Sequence, residues 1–210
     1  MLGALFGSLD RTGVEVALRL VLAERAHRPP PRLDLVWTGP EVQTAPTRDT
    51  AIVVRQLFER AERTVIVAGF RFDHGEELLR ALHVGMRDRG VEARLFLDID
   101  GKASTPAGAD AFATEKIDAF FSANWPFGAP RPDVYYDPRT ATPGVWASLH
   151  AKCVVVDERV TLIGSANFTA RAQSRNIEAG VLIEDVDFAR RLGGQWRSLI
   201  EAGLVRRYLG

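Results

Sequence analysis

Cysteine is nearly absent. Cys153 stands alone in 210 residues, so no internal disulfide can brace the fold. One cysteine and four scattered histidines (His27, His74, His83 and His150) offer no zinc-ligand spacing, and no metal or other cofactor is expected. Cys153 lies in an apolar run, where the expected role is a small buried hydrophobe rather than a reactive thiol. Long hydrophobic runs are missing too: none approaches the roughly 20 residues needed to span a bilayer, so no integral membrane association is expected. The first residues, MLGALFGSLDRTG, lack a basic start, a long apolar segment and a cleavage site, and do not read as a secretory leader. A soluble, cytoplasmic protein is the expectation. Nor is there an excess of charge of one sign. With 27 basic and 27 acidic residues, no global field draws the chain onto nucleic acid or an anionic membrane, and only a local patch could do so. Internal repeats and low-complexity segments are absent.

The length suits one sizeable domain with a modest appendage. Residues 13–26 place Val14, Leu18, Val21 and Leu22 on one helical face, and Pro29, Pro30 and Pro31 stop that helix. Residues 1–31 therefore read as an N-terminal helix and proline-rich linker, and 32–210 as a single domain. In the latter, a short extended segment (Leu33 to Thr38) precedes a helix starting near Thr47 or Asp49. The apolar run from Thr64 to Phe70 reads as a strand covered on both faces. Asp73, with Glu76 three residues on, looks like the N-cap of a helix ending at Gly90, and a second strand follows from Val91 to Ile99. Strand, helix and strand make a parallel βαβ unit, which sets the class as α/β. A helix from Asp110 to Ala123, an edge-like strand from Arg131 to Asp137, a strand from Asn176 to Ile183 and a closing helix from Asp187 to Ala202 complete the set. Val205 to Tyr208 reads as a solvated end.

The stretch from Leu149 to Phe168 carries the chemistry. His150 and Lys152 are two apart in an apolar run, so on a strand both side chains leave from the same face. A turn at Asp157-Glu158-Arg159 and a second apolar run make a hairpin. Its register puts Lys152 near Gly164 and His150 near Ala166, with Ser165 and Asn167 alongside. Glu178 is the odd residue of its apolar strand: it either faces water at the strand end or pairs with a partner, for which His150 is the attractive choice. Trp146 either lines a substrate groove or anchors the core. Phe70 and Phe72 read as core first and substrate platform second, and His74 as the start of a helix or the rim of a site.

The spacing His150-x-Lys152-x4-Asp157-x6-Gly164-Ser165-x-Asn167 is similar to the HxKx4Dx6GSxN signature of the phospholipase D superfamily, with every specified position present. Asn176-Ile177-Glu178 resembles that family's downstream Asn-x-Glu, and the run from LVWTGPE to RLFLDID is similar to phospholipase D-like proteins of DISARM phage-defence systems. The resemblance implies an αβα sandwich around a mixed, largely parallel sheet. It also implies a metal-independent phosphodiesterase, in which His150 attacks phosphorus and forms a phosphohistidine that water then cleaves. Lys152, Ser165 and Asn167 would hold the phosphate, Glu178 would orient the imidazole, and Asp157 and Gly164 would be structural.

In this family the leaving group takes its proton from a second copy of the motif, and this chain has one copy; neither His27, His74 nor His83 has a lysine two residues later. A homodimer sharing one active site across a two-fold axis is therefore expected. DNA is the expected substrate and defence-system proteins the expected partners. A lipid phosphatidyl hydrolase or transferase is the alternative within the same chemistry. A non-catalytic subunit that keeps the fold is the alternative outside it.

Overall fold

In the computed structural model of the protein, the described residues are 10–27, 30–40, 48–73, 75–169, 172 and 175–210. The chain divides into two compact units, Met1–Pro31 and Arg32–Gly210. The described part of the first is helix α1 (Arg11–His27), whose start is capped by the Asp10 carboxylate accepting the Gly13 N–H at 2.7 Å. Residues 28–29 of the expected linker, Thr47 and His74 lie outside the described residues.

The second unit begins with β1 (Arg32–Thr38), β2 (Arg48–Asp49), α2 (Thr50–Arg60), β3 (Thr64–Gly69) and β4 (Phe72–Asp73). Helix α3 (Glu76–Arg89), β5 (Glu92–Leu97), α4 (Ala109–Asn124), β6 (Asp133–Tyr136) and a single turn, α5 (Pro138–Ala141), follow. The chain finishes with β7 (Cys153–Val156), β8 (Val160–Gly164), β9 (Phe168–Thr169), β10 (Glu178–Glu184), α6 (Val186–Glu201) and β11 (Arg206–Arg207). Asp49 caps α2 through the Ile52 N–H at 3.0 Å.

Among the described residues one sheet carries nine strands in the order β11-β6-β5-β3-β7-β8-β10-β1-β2. Strands β3, β5 and β6 are parallel, joined by the crossovers that contain α3 and α4. The sheet is mixed, as expected, but parallel pairing is confined to these three strands and the short β1–β2 contact. The β7–β8 hairpin is antiparallel because a tight turn can join only antiparallel strands, and β7 with β3, and β10 with β8 and β1, pair antiparallel as well.

Period-two alternation sorts the two faces. Val65, Val67, Leu95, Leu97, Val154 and Val156 pack on one side with Val54 and Phe58 of α2, Leu79 and Leu82 of α3, and Ile117 of α4. Ile66, Ala68, Phe96, Cys153 and Val155 pack on the other with Ala189, Leu192 and Trp196 of α6. This is the three-layer αβα arrangement.

Two local expectations are overturned. Asp73 is not the N-cap of α3: that position is Gly75, without a side-chain cap. Phe72–Asp73 instead forms a two-stranded parallel pair with Phe168–Thr169, so a long-range ladder wins over the local capping pattern. The C-terminal segment is not simply solvated either. Val205 is buried, and β11 pairs antiparallel with β6, where Arg206 binds Asp110 and Arg207 binds Asp133. That short strand covers β6, which accordingly lies one place in from the sheet edge.

Strands β8 and β10 approach closely where Gly164 faces Gly180. A Cβ on Gly180 would stand 2.9 Å from the Ile163 carbonyl oxygen and 3.3 Å from the Gly164 Cα. Gly180→Ala should therefore push the strands apart and cost about 1–3 kcal/mol, read as a lower urea midpoint. An unchanged midpoint would contradict so tight an approach.

Candidate active site

The strand register gathers the candidate residues at one end of the sheet. Ala68 faces Cys153, Cys153 faces Ile163, and Ile163 faces Val181. Phe70 and Asp98 then lie just past the ends of β3 and β5, Lys152 just before β7, Ser165 just after β8, and Glu178 at the start of β10. The expected opposition of Lys152 and Gly164 is present, with the Gly164 N–H donating to the Lys152 carbonyl at 3.2 Å. His150 and Lys152 are not inside the strand, however, since β7 begins only at Cys153.

The turn of the hairpin is built by Asp157. Asp157 and Glu158 take φ of +53° and +54°, and the Arg159 N–H closes onto the Val156 carbonyl at 2.9 Å. The buried Asp157 carboxylate accepts the backbone N–H groups of Glu62, Arg63 and Thr64 at 2.9, 2.8 and 2.8 Å. It thereby ties the hairpin tip to the start of β3, at the opposite end of the sheet from His150.

At the candidate site the Lys152 Nζ lies 3.2 and 3.4 Å from the two ring nitrogens of His150, and it donates to the His150 carbonyl at 2.9 Å. The His150 ring lies 4.5 Å from the Phe70 ring, centroid to centroid. Glu178 is engaged elsewhere. Ser165 Oγ donates to Glu178 Oε2 at 2.5 Å, Asn176 Nδ2 donates to Oε1 at 3.0 Å, and the Ala179 N–H donates to Ser165 Oγ at 3.2 Å. The pairing of Glu178 with His150 expected from the sequence is thus absent within one chain. Serine one residue past β8 sits opposite the start of β10 and takes the carboxylate first. Ser165, expected as a phosphate donor, directs its proton to Glu178.

Asp98 was not among the sequence candidates. Its carboxylate accepts the Leu149 N–H at 2.6 Å and so fixes the backbone immediately before His150. Burial raises its pKa above the ordinary aspartate value, opposed by the Leu149 N–H and the Ser148 side chain. The available signal was its place just after the C-terminal end of a parallel strand, where α/β folds put functional groups. Burial also lowers the pKa of Lys152 below the ordinary lysine value, opposed by the nearby carboxylates of Glu178 and Asp98.

Beside this cluster opens a cavity of about 700 Å³ with Phe70, Asp98, Phe120, Asn167 and Asn176 in its walls. His150 and Lys152 stand outside it, so Phe70 and Asp98 form the boundary between the pair and the cavity. Trp146 is fully exposed, which removes the core-anchor reading. Among the described residues no three His, Cys, Asp or Glu side chains cluster as metal ligands do, and no helix is long and apolar enough to cross a membrane.

A mixed αβα sandwich with a His-x-Lys pair and a Gly-Ser-x-Asn segment at one sheet end defines a phospholipase D-like protein. A family model described as "Cardiolipin synthase, PLD-like domain" matches residues 54–200, and the chain belongs to this family, within the phospholipase D superfamily. It is similar to a phospholipase D of Rickettsia typhi, 26% identical over 155 residues that cover 74% of this chain and 64% of that protein. It is also similar to the DISARM protein DrmC of Bacillus paralicheniformis, 27% identical over 153 residues that cover 72% of this chain and 56% of that protein. The chain thus matches less than two-thirds of the length of either relative. Among solved structures, Nuc from Salmonella typhimurium superposes with a TM-score of 0.55 at 18% identity, covering 86% of this chain and all of Nuc. NucT from Helicobacter pylori gives 0.57 at 17% identity, covering 82% and 97%. These two likenesses establish the fold.

Proposed function

We propose that this chain is a metal-independent, nuclease-like phosphodiesterase that works as a homodimer in DISARM-type defence against phage. The observation that carries the reading is the His150–Lys152 pair, with an ammonium 3.2 Å from an imidazole nitrogen at the open end of the sheet. Phosphodiesters resist attack because their charged oxygens repel nucleophiles, so a cation beside the attacking nitrogen lowers the barrier. His150 attacks phosphorus, a P–N bond forms, and the P–O bond to the leaving group breaks. The departing oxygen takes a proton from the imidazole of the second protomer. That same imidazole then takes a proton from water, whose oxygen attacks phosphorus and releases His150.

Dimerisation is supported by the single motif copy. It also gives Glu178 a role, because a carboxylate that does not reach the His150 of its own chain can orient an imidazole supplied across the two-fold axis. The likeness to DrmC supports the defence assignment, and the likeness to Nuc supports the phospholipase D fold on which the chemistry is built. The Rickettsia phospholipase D relatives favour the second reading, a phosphatidyl hydrolase or transferase.

The test is to incubate the protein and His150→Ala, in EDTA, with single- and double-stranded DNA, bis-p-nitrophenyl phosphate and phospholipid vesicles. DNA cleavage by the unsubstituted protein alone supports the proposal, and turnover of vesicles alone supports the phospholipase reading. Loss of activity in EDTA contradicts the histidine mechanism, and an inert but folded protein points to a non-catalytic subunit.

The lowered pKa of Lys152 sets the alkaline behaviour. Phosphate binding needs the ammonium, which is lost on rising pH earlier than for an ordinary lysine. The KM for bis-p-nitrophenyl phosphate should therefore climb below the usual lysine range, which lies near pH 10.4. A KM flat up to that range would count against Lys152 as the phosphate ligand.

A further inference from the structure

His150 and Lys152 precede the first residue of β7; the Leu149 N–H on Asp98 and the Gly164 N–H on the Lys152 carbonyl anchor the backbone on either side of the pair, but the two side chains need contacts of their own to set their geometry. The Phe70 ring is in place to do so. Its centroid lies 4.5 Å from that of the His150 imidazole, at 51° between planes, and 4.9 Å from the Lys152 Nζ. With the ammonium itself 3.2 Å from the His150 Nδ1, the three groups form a closed triangle. We infer that Phe70 is a positioning residue that orients the attacking imidazole and holds the phosphate-binding ammonium against it.

Phe70 can serve because its own backbone has little freedom. It directly follows Gly69, the last residue of β3, which is buried and so closely covered that an added Cβ would strike the rings of Phe72 and Phe168. Phe72 is in turn stacked on Phe168, with centroids 4.9 Å apart, and set edge-on to Phe120. The ring thus projects from a rigid strand end onto the side chains of the segment that leads into β7. An aromatic face attracts a cation through its quadrupole, and an aliphatic side chain of similar volume does not. Arg71, whose guanidinium carbon lies 5.4 Å from the same ring, is paired with Asp100. The inference rests on reading His150 and Lys152 as the reacting pair.

The experiment compares Phe70→Leu and Phe70→Tyr in the full chain by two readouts. The first is the NMR position of the His150 ring protons, assigned by their loss in His150→Ala. Phe70→Leu should move them by removing the ring current, and Phe70→Tyr should leave them in place. The second is steady-state kinetics on bis-p-nitrophenyl phosphate. Phe70→Leu should lower kcat roughly 3- to 30-fold with a smaller change in KM, and Phe70→Tyr should restore it. Ring protons that stay put in Phe70→Leu, or a kcat that stays put, would overturn the inference. So would a folded Phe70→Tyr as slow as Phe70→Leu. If the unsubstituted protein turns over no phosphodiester, the catalytic reading fails and Phe70 with it as a positioning residue, while the NMR readout still reports whether the ring contact exists.

Discussion

His150→Ala should reduce phosphodiester turnover by roughly three orders of magnitude or more while leaving the fold intact. The loss is large because the nitrogen that forms the covalent bond is gone, and the neighbouring donors can then only bind. The fold should survive because His150 is exposed and precedes β7, so its truncation opens no cavity and removes no strand hydrogen bond. Turnover of bis-p-nitrophenyl phosphate and the thermal midpoint, measured on the same preparation, check both halves. Residual activity within tenfold of the starting value would place the nucleophile elsewhere.

Asp157→Ala should do the reverse, destabilising the protein strongly without touching the chemistry. Its carboxylate is buried and accepts three backbone N–H groups from the segment that leads into β3. Truncation strands all three donors at about 1–3 kcal/mol each, and with water entering to relieve part of this we expect a loss of about 3–5 kcal/mol. At this chain length that is a fall of roughly 6–20 °C in thermal midpoint. Asp157→Asn should cost less, because one side-chain oxygen remains to accept. At temperatures where the variant is still folded, kcat should be nearly unchanged, since the hairpin tip and His150 lie at opposite ends of the sheet. A fall in kcat with no loss of stability would reverse this assignment and make Asp157 a participant in the reaction.

What could be read from the sequence, and what could not, follows from the range of the forces involved. The Lys152–Gly164 opposition was legible because a tight turn and a period of two fix a hairpin register locally. The run from Thr64 to Phe70 was legible as a strand covered on both faces because it is continuously apolar. Asp73 misled because the pattern of an acidic cap with glutamate three residues on is local, whereas the pairing of Phe72–Asp73 with Phe168–Thr169 is not. Glu178 misled in a similar way. An unpaired carboxylate in an apolar strand announces that it needs a partner, but choosing Ser165 and Asn176 over His150 needs the β8–β10 register. Asp98 went unremarked, and Phe70 was read as core first and substrate platform second, because their contacts join the ends of β3 and β5 to the segment before β7. Arg206 and Arg207 carried no strand pattern at all, since a two-residue strand has no periodicity to show.

The shared site stands or falls on the mass of the active species, measured by size-exclusion chromatography with light scattering while turnover is assayed across the eluted peak. A site shared between protomers predicts that turnover follows a species with the mass of two 23.2-kDa chains. Full turnover by a species with the mass of one chain would contradict it.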